Sequence, residues 1–67
     1  MTRSEAITAM RIGKKVTHKY FSPEEWATLE NGRILLDDGV TCLPAQFWFD
    51  RQTKMFDDGW DIWKPIS

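Results

Sequence analysis

The chain has 67 residues, a net charge of -1 and 13% aromatic residues, among them four tryptophans. A chain of this length forms one domain at most and buries only about 60% of the surface that its unfolded form exposes. One cysteine and one histidine exclude an internal disulfide and a Cys/His zinc site, so self-association is the expected source of further stability. The lone thiol is typical of the reducing cytoplasm, and we find no signal peptide and no membrane-spanning apolar run.

The positive charge is concentrated at the start of the chain. Residues 1–21 carry five basic residues and one acidic residue, a net charge of +4, whereas residues 22–67 carry four basic and nine acidic residues, a net charge of -5. A basic first third can attract an anionic ligand. A binder of long nucleic acid is usually basic overall, so long nucleic acid is not the expected partner.

The first predicted element is a helix that begins after Thr2 and ends near Ile12. Thr2 and Glu5 have the spacing of a capping box, and Gly13 suits the left-handed residue that follows a helix. Its apolar side chains gather on one face, as in a helix that packs on a sheet.

A strand is predicted over residues 15–21, where side chains alternate between two faces. The core side would carry Val16, His18 and Tyr20, and the other side Lys15, Thr17, Lys19 and Phe21. The segment 22–25 is a second capping signature, with Ser at the cap and Pro at the first position, and is expected to form a single turn before Trp26.

Asn31-Gly32 and Asp38-Gly39 each predict a two-residue hairpin turn between strands 26–30, 33–37 and 40–43. In this register one face carries Ala27, Leu29, Ile34, Leu36 and Leu43, and the other carries Trp26, Leu35, Val40 and Cys42. A sheet that is apolar on both faces needs cover on both. The helix would cover one face, and a second subunit the other.

The last third of the chain predicts a short helix opened by Pro44, a turn at residues 57–59 and a final strand at 60–63. Trp60 and Trp63 would lie on opposite faces of that strand. The sequence therefore predicts one small α+β domain over residues 1–67. Its N-terminal helix would pack on a mainly antiparallel sheet of about four to five short strands, in a homo-oligomer.

No set of residues predicts catalysis, a metal or a cofactor. Cys42 and His18 lack an orienting third group and an oxyanion site. The pairs Asp37-Asp38 and Asp57-Asp58 each precede a glycine and are interpreted as turn residues. No glycine-rich phosphate loop or calcium-binding loop occurs. We therefore expect a binding protein rather than an enzyme.

The candidate binding residues combine positive charge with aromatic rings. Charged donors form strong hydrogen bonds to phosphate, and stacking of a base on a ring is worth about 1–3 kcal/mol. The alternative interpretation is an ordinary solvated strand beside core aromatics. The candidates are Lys15, Thr17, His18, Lys19, Tyr20, Phe21, Trp26, Trp48, Arg51 and Trp60.

The strand that begins with Gly13-Lys14-Lys15-Val16, preceded by a helix with Glu5-Ala6 and Met10, resembles a family of small phage proteins, the Thoeris anti-defence proteins of the second type. Further along, His18 stands where the family has Arg, Phe21 where it has Trp and Ser22 where it has Asn. Trp60 matches a C-terminal Trp of the family, with Gly59 in place of the preceding Asp.

The resemblance implies a sponge without catalytic activity. Such proteins sequester cyclic nucleotide immune messengers, cyclic ADP-ribose isomers or cyclic oligonucleotides, in pockets between the subunits of a dimer or tetramer, in the cytoplasm of the infected bacterium. By this resemblance Phe21 is the stacking ring and the basic strand helps to hold phosphate. From the residues alone, a small module that binds or inhibits a host protein through exposed aromatics is the alternative.

Overall fold

A computed structural model describes residues 1–65. The protein is α+β, as predicted, with helices α1 (Arg3–Arg11) and α2 (Pro44–Phe49) and a five-stranded antiparallel sheet. The strands are β1 (Val16–His18), β2 (Ala27–Glu30), β3 (Arg33–Leu36), β4 (Thr41–Cys42) and β5 (Trp60–Ile62). They lie in the order β4-β3-β2-β1-β5, and a short 3-10 helix (Lys54–Phe56) precedes β5.

The capping box predicted at the start of α1 is present. The Thr2 hydroxyl accepts a hydrogen bond from the Glu5 N–H at 3.2 Å, and the Glu5 carboxylate accepts one from the Thr2 N–H at 2.8 Å. Hydrogen bonds from the backbone and then the side chain of Thr2 lower the pKa of Glu5 below its ordinary 4.5, because they stabilise the ionised carboxylate. Gly13, at φ +88°, follows the helix in the left-handed conformation.

The hairpin between β2 and β3 has the predicted register. Asn31 and Gly32 have φ values of 51° and 77°, as a two-residue turn with both central residues at positive φ requires. Glu30 lies opposite Arg33, and the pairing continues to Ala27 opposite Leu36.

The hairpin between β3 and β4 does not have the predicted two-residue turn. The Gly39 N–H donates to the Leu36 carbonyl and the Leu36 N–H to the Val40 carbonyl, both at 2.9 Å, so the loop has three residues, 37–39. Gly39, at φ +86°, takes the left-handed position that such a loop needs.

The longer loop shifts the register of β4 against β3 by one residue. Ile34 lies opposite Cys42, so Cys42 packs against the core, where Leu43 was expected. Leu43 and Val40 are more than half exposed. The face of the sheet opposite the helices carries Thr17, Thr28 and Leu35 beside the Trp26–Trp63 pair. Because Cys42 has left it, this face is less apolar than predicted, which weakens one argument for a second subunit.

Strand β1 is shorter than predicted and ends at His18. The Phe21 N–H donates to the His18 carbonyl at 2.8 Å, so the chain turns there. Tyr20, expected on the core side, is 60% exposed as a result. The segment 22–25 forms the expected single turn, with the Glu25 N–H donating to the Ser22 carbonyl at 3.0 Å, but despite its capping signature it is not helical.

The core lies between the helices and one face of the sheet. Its apolar members are Ala6, Ala9, Met10, Val16, Ala27, Ile34, Phe47 and Trp60. Phe47 belongs to α2, which Pro44 opens as predicted. The accessible surface is 4600 Å², close to the roughly 4,400 Å² expected for a folded monomer of 7.9 kDa. Area alone therefore does not require a partner.

Candidate functional site

A pocket of about 290 Å³ lies where the turn after β1 meets the end of β3 and the end of α2. We call it the aromatic–acidic pocket, and its lining residues are Phe21, Glu25, Trp26, Leu36, Asp37, Asp38 and Arg51. It unites three of the ten candidate residues, Phe21, Trp26 and Arg51, from two segments that are 25 residues apart. The fold brings these three together, whereas the remaining candidates lie outside the pocket.

Arg51 is held rigidly at this pocket. Its guanidinium carbon lies 4.0 Å from the centre of the Phe47 ring and 5.8 Å from that of Phe21. Its Nη1 donates to the Phe47 carbonyl at 3.1 Å, and its own carbonyl accepts from Arg3 at 2.8 Å. The buried Nε has no hydrogen-bond partner. Because stacking on Phe47 and the Nη1 hydrogen bond hold the guanidinium, little rotamer entropy is lost when it binds a ligand.

Three carboxylates line the same pocket, and two have local structural roles. Glu25 accepts the Ser22 N–H at 3.3 Å, and Asp38 accepts the Val40 N–H at 3.0 Å. Asp37 is exposed, and within residues 1–65 its carboxylate makes no hydrogen bond or ion pair. The pocket therefore has one fixed cation and one uncommitted carboxylate. Sequence reasoning assigned Asp37 to a turn only, because nothing local indicates that the loop meets Phe21 and Arg51.

Lys15 lies against a pair of tryptophans behind this pocket. Its Nζ is 4.3 Å from the centre of the Trp26 ring and 5.6 Å from that of Trp63. The two rings are 6.0 Å apart, and the Trp63 indole N–H donates to the Pro23 carbonyl at 3.0 Å. Such cation–π contacts are worth about 0.5–1 kcal/mol at an exposed site. Trp26 thus connects the pocket to the ammonium group of Lys15.

His18, a candidate ligand-binding residue, belongs to the core. It is only 2% exposed, and its Nε2 lies 2.7 Å from the Asp58 carbonyl, which can only accept a hydrogen bond. Nε2 therefore carries the proton, and Nδ1 accepts the Tyr20 N–H at 3.1 Å. Both ring nitrogens are occupied, so this conformation offers a ligand no free atom on His18.

Trp60 and Trp48 also have structural positions. Trp60 is 2% exposed, and its indole N–H donates to the Phe56 carbonyl at 2.8 Å. Trp63, predicted to be the last residue of the strand, lies just after β5 and is half-buried. The rings of Trp48 and Trp60 pack with their centres 5.3 Å apart, and the guanidinium carbon of Arg3 lies 5.5 Å from the centre of the Trp48 ring. Trp48, a candidate binding residue three positions before Arg51, does not line the aromatic–acidic pocket.

The other candidates of the basic segment stand in solvent. Lys19 and Tyr20 are exposed, with the Lys19 ammonium 5.3 Å from the Tyr20 ring centre. Thr17 is half-buried on the face of the sheet opposite the helices. These residues precede Phe21 in the chain, but unlike Phe21 they do not line the aromatic–acidic pocket.

No protein-family model, curated protein or solved structure matches this chain. Neither helix of residues 1–65 is long and apolar enough to cross a membrane.

Proposed function

We propose that this protein is a sponge that binds a cyclic nucleotide immune messenger without catalysis, in the cytoplasm of an infected bacterium. The observation that supports it most is the convergence of Phe21, Trp26 and Arg51 on one pocket. Phe21 is also the residue that the family resemblance assigns to base stacking. Aromatic faces beside a fixed guanidinium suit a base with its attached phosphates.

The size of the pocket limits what enters it. Its volume of about 290 Å³ is at the low end of small-molecule sites, which span about 300–1,000 Å³. One base with its ribose fits such a volume, and a whole cyclic dinucleotide does not. We propose that a base stacks at Phe21 and Trp26 and that the phosphates remain at the rim.

The charges of the pocket favour the same orientation. Three carboxylates and one guanidinium give the lining a net charge of -2, which disfavours phosphate inside. Lys15, whose Nζ lies 4.3 Å from the centre of the Trp26 ring, supplies positive charge beside Trp26 and outside the pocket lining. Tight binding requires only these contacts, and no catalytic group is needed.

Self-association is part of this proposal. A pocket that holds only part of the ligand is completed when a second subunit covers the rim, as in a homodimer or tetramer. The exposed apolar side chains support this, because Ile12, Leu43 and Phe49 are 57–71% exposed. Scattered exposed apolar residues are normal on a monomer, so the oligomeric state has to be measured by light scattering.

Isothermal titration calorimetry tests the ligand. The wild-type protein is titrated with cyclic ADP-ribose isomers and with a panel of cyclic di- and trinucleotides. Phe21→Leu keeps an apolar side chain but removes the stacking face, so it should weaken binding at least about tenfold. Tyr20→Leu changes the neighbouring exposed ring, outside the pocket, and should leave the affinity unchanged. Absence of heat with every ligand refutes the proposal.

A protein-binding module is the second candidate. Leu43 directly precedes α2 and Phe49 is its last residue, and more than half of the surface of each is exposed. Aromatic residues are enriched at interaction hot spots. Under this function Phe49→Ala would abolish capture of one host protein and Phe21→Leu would not. Under the sponge function Phe21→Leu would weaken nucleotide binding and Phe49→Ala would not.

A further inference from the structure

The aromatic–acidic pocket holds more negative charge than its own lining neutralises. The carboxylates of Glu25, Asp37 and Asp38 line it together with the single guanidinium of Arg51. Although Arg51 shares the lining, none of the three carboxylates is in an ion pair within residues 1–65. Like charges around one cavity repel each other, and a positively charged ligand would relieve that repulsion.

The carboxylate oxygens of this lining have spare capacity for hydrogen bonds. Glu25 accepts the Ser22 N–H through Oε1, and Asp38 accepts the Val40 N–H through Oδ1. In the part of the chain that the structure describes, the second oxygen of each and both oxygens of Asp37 accept no hydrogen bond. A ligand group that donates several hydrogen bonds therefore suits this lining better than a group that only accepts them.

The aromatic rings of the pocket also favour a cation. Phe21 and Trp26 line it, and the face of an aromatic ring attracts positive charge. The fold already places cations at both rings, with the Lys15 Nζ 4.3 Å from the centre of Trp26 and the Arg51 guanidinium carbon 5.8 Å from that of Phe21. Lys15 is not part of the pocket lining, so it does not fill the cavity.

We propose that the aromatic–acidic pocket binds a guanidinium group, such as that of an arginine side chain of another protein. A guanidinium is planar and always charged, stacks on aromatic rings, and donates hydrogen bonds in a fork that matches a carboxylate. An ammonium group lacks the flat face, and a quaternary ammonium group lacks the donors. Asp37, whose carboxylate has no partner within residues 1–65, is the expected acceptor of the paired hydrogen bonds.

The guanidinium is a ligand separate from the cyclic nucleotide, and the inference goes beyond the sponge function. An arginine side chain is smaller than the base with its ribose that a volume of about 290 Å³ holds, so the cavity is large enough for it. The inference depends on the charges and rings of the lining, and it requires neither a nucleotide nor a second subunit.

A nuclear magnetic resonance titration with N-acetyl-arginine methylamide, at constant ionic strength, tests the ligand. The indole N–H of Trp26 reports on the pocket, and that of Trp48, outside the lining, should not shift. The matched citrulline derivative has nearly the same shape but a neutral urea, so it should bind at least about tenfold more weakly. The lysine derivative keeps the charge without the planar fork and should also bind more weakly than the arginine derivative.

The variant Asp37→Asn tests the role of the uncommitted carboxylate. It removes one negative charge from the lining, so the affinity for the arginine derivative should fall about two- to fivefold at low salt. Glu24→Gln removes a charge outside the lining and should leave this affinity unchanged. An anionic nucleotide should respond to Asp37→Asn in the opposite direction, so the sign of the change distinguishes the two ligands. Circular dichroism confirms that both variants are folded.

Ethylguanidinium, which has the same charged group without a peptide backbone, identifies the source of the ligand. Tighter binding of the arginine derivative assigns the group to a protein side chain, and tighter binding of ethylguanidinium assigns it to a free small molecule. Absence of a saturable shift at Trp26 with both probes refutes the inference. Equal affinity for the citrulline or the lysine derivative also refutes recognition of the guanidinium. None of these outcomes affects the calorimetric test of the nucleotide, and absence of nucleotide binding leaves this inference standing.

Discussion

Gly59 lies against the imidazole of His18, and a Cβ at position 59 would be 3.1 Å from His18 Nε2. The same Nε2 donates to the carbonyl of Asp58, the residue before Gly59. The Lys19 N–H, just after His18, donates to the Gly59 carbonyl at 3.0 Å. The turn before β5 and the end of β1 therefore hold each other in position. Phe21, which lines the aromatic–acidic pocket, is joined to this junction because its N–H donates to the His18 carbonyl at 2.8 Å.

Gly59→Ala should destabilise the fold by more than its backbone conformation explains. At φ +89° an L-residue costs about 1–2 kcal/mol, and crowding against a fixed ring adds about 1–3 kcal/mol. Gly39→Ala is the matched control, since its φ is +86° and a Cβ there meets nothing within 4 Å. Thermal unfolding followed by circular dichroism measures both. Equal losses of stability in the two variants would contradict the contact with His18.

The capping box makes the stability of α1 dependent on pH. Because the pKa of Glu5 is lowered in the folded state, its contribution is fully present above 4.5 and is lost as the pH falls through the folded value. Glu5→Gln should therefore lower the melting temperature at pH 7 and converge with the wild type once the pH falls below the lowered pKa of Glu5 in the folded state. Thr2→Ala removes the cap hydroxyl and should cost about 1 kcal/mol at pH 7, and less at low pH, because the hydroxyl also stabilises the ionised Glu5 carboxylate. A constant difference between Glu5→Gln and wild type at all pH values would contradict this linkage.

The register of β4 can be tested with cysteines. Leu35 lies opposite Thr41, so Leu35→Cys/Thr41→Cys, made in a Cys42→Ser background, should form a disulfide under mild oxidation. Leu35→Cys alone should not bond to native Cys42, because neighbouring residues of a strand point to opposite faces. The two-residue turn would pair Leu35 with Cys42 and give the reverse result. Mass spectrometry after thiol alkylation distinguishes the two.

Asp37 should weaken the binding of an anionic nucleotide through its charge. Asp37→Asn removes one negative charge from the aromatic–acidic pocket, and we expect the affinity to rise about two- to fivefold at low salt. The gain should shrink in 0.5 M salt, where the Debye length is below about 8 Å. Glu24→Gln removes a charge outside the pocket lining and serves as control. A loss of affinity in Asp37→Asn would mean that its carboxylate accepts a hydrogen bond from the ligand that the amide cannot replace.

Much of the fold could be predicted because its signals are local. Thr2 and Glu5 are three residues apart, and Asn31 and Gly32 are adjacent, so these contacts form within one turn of chain. The candidate site was less predictable. Phe21, Trp26 and Arg51 were named from residue type, but His18 and Trp60 were named with them and proved to be buried. Residue type alone does not distinguish a core ring from one that lines a pocket.

The sequence by itself determined helix α1, the register of β2 against β3 and the opening of α2 at Pro44, since each depends on backbone preferences of residues near one another in the chain. Only the tertiary structure decided the register of β4, the burial of His18 and the placement of Asp37 and Arg51 in the lining of one pocket. These depend on contacts between distant segments, where small differences in packing and hydrogen bonding outweigh local preference. A loop longer by one residue put Cys42 rather than Leu43 against the core, and no property of either residue specifies that choice.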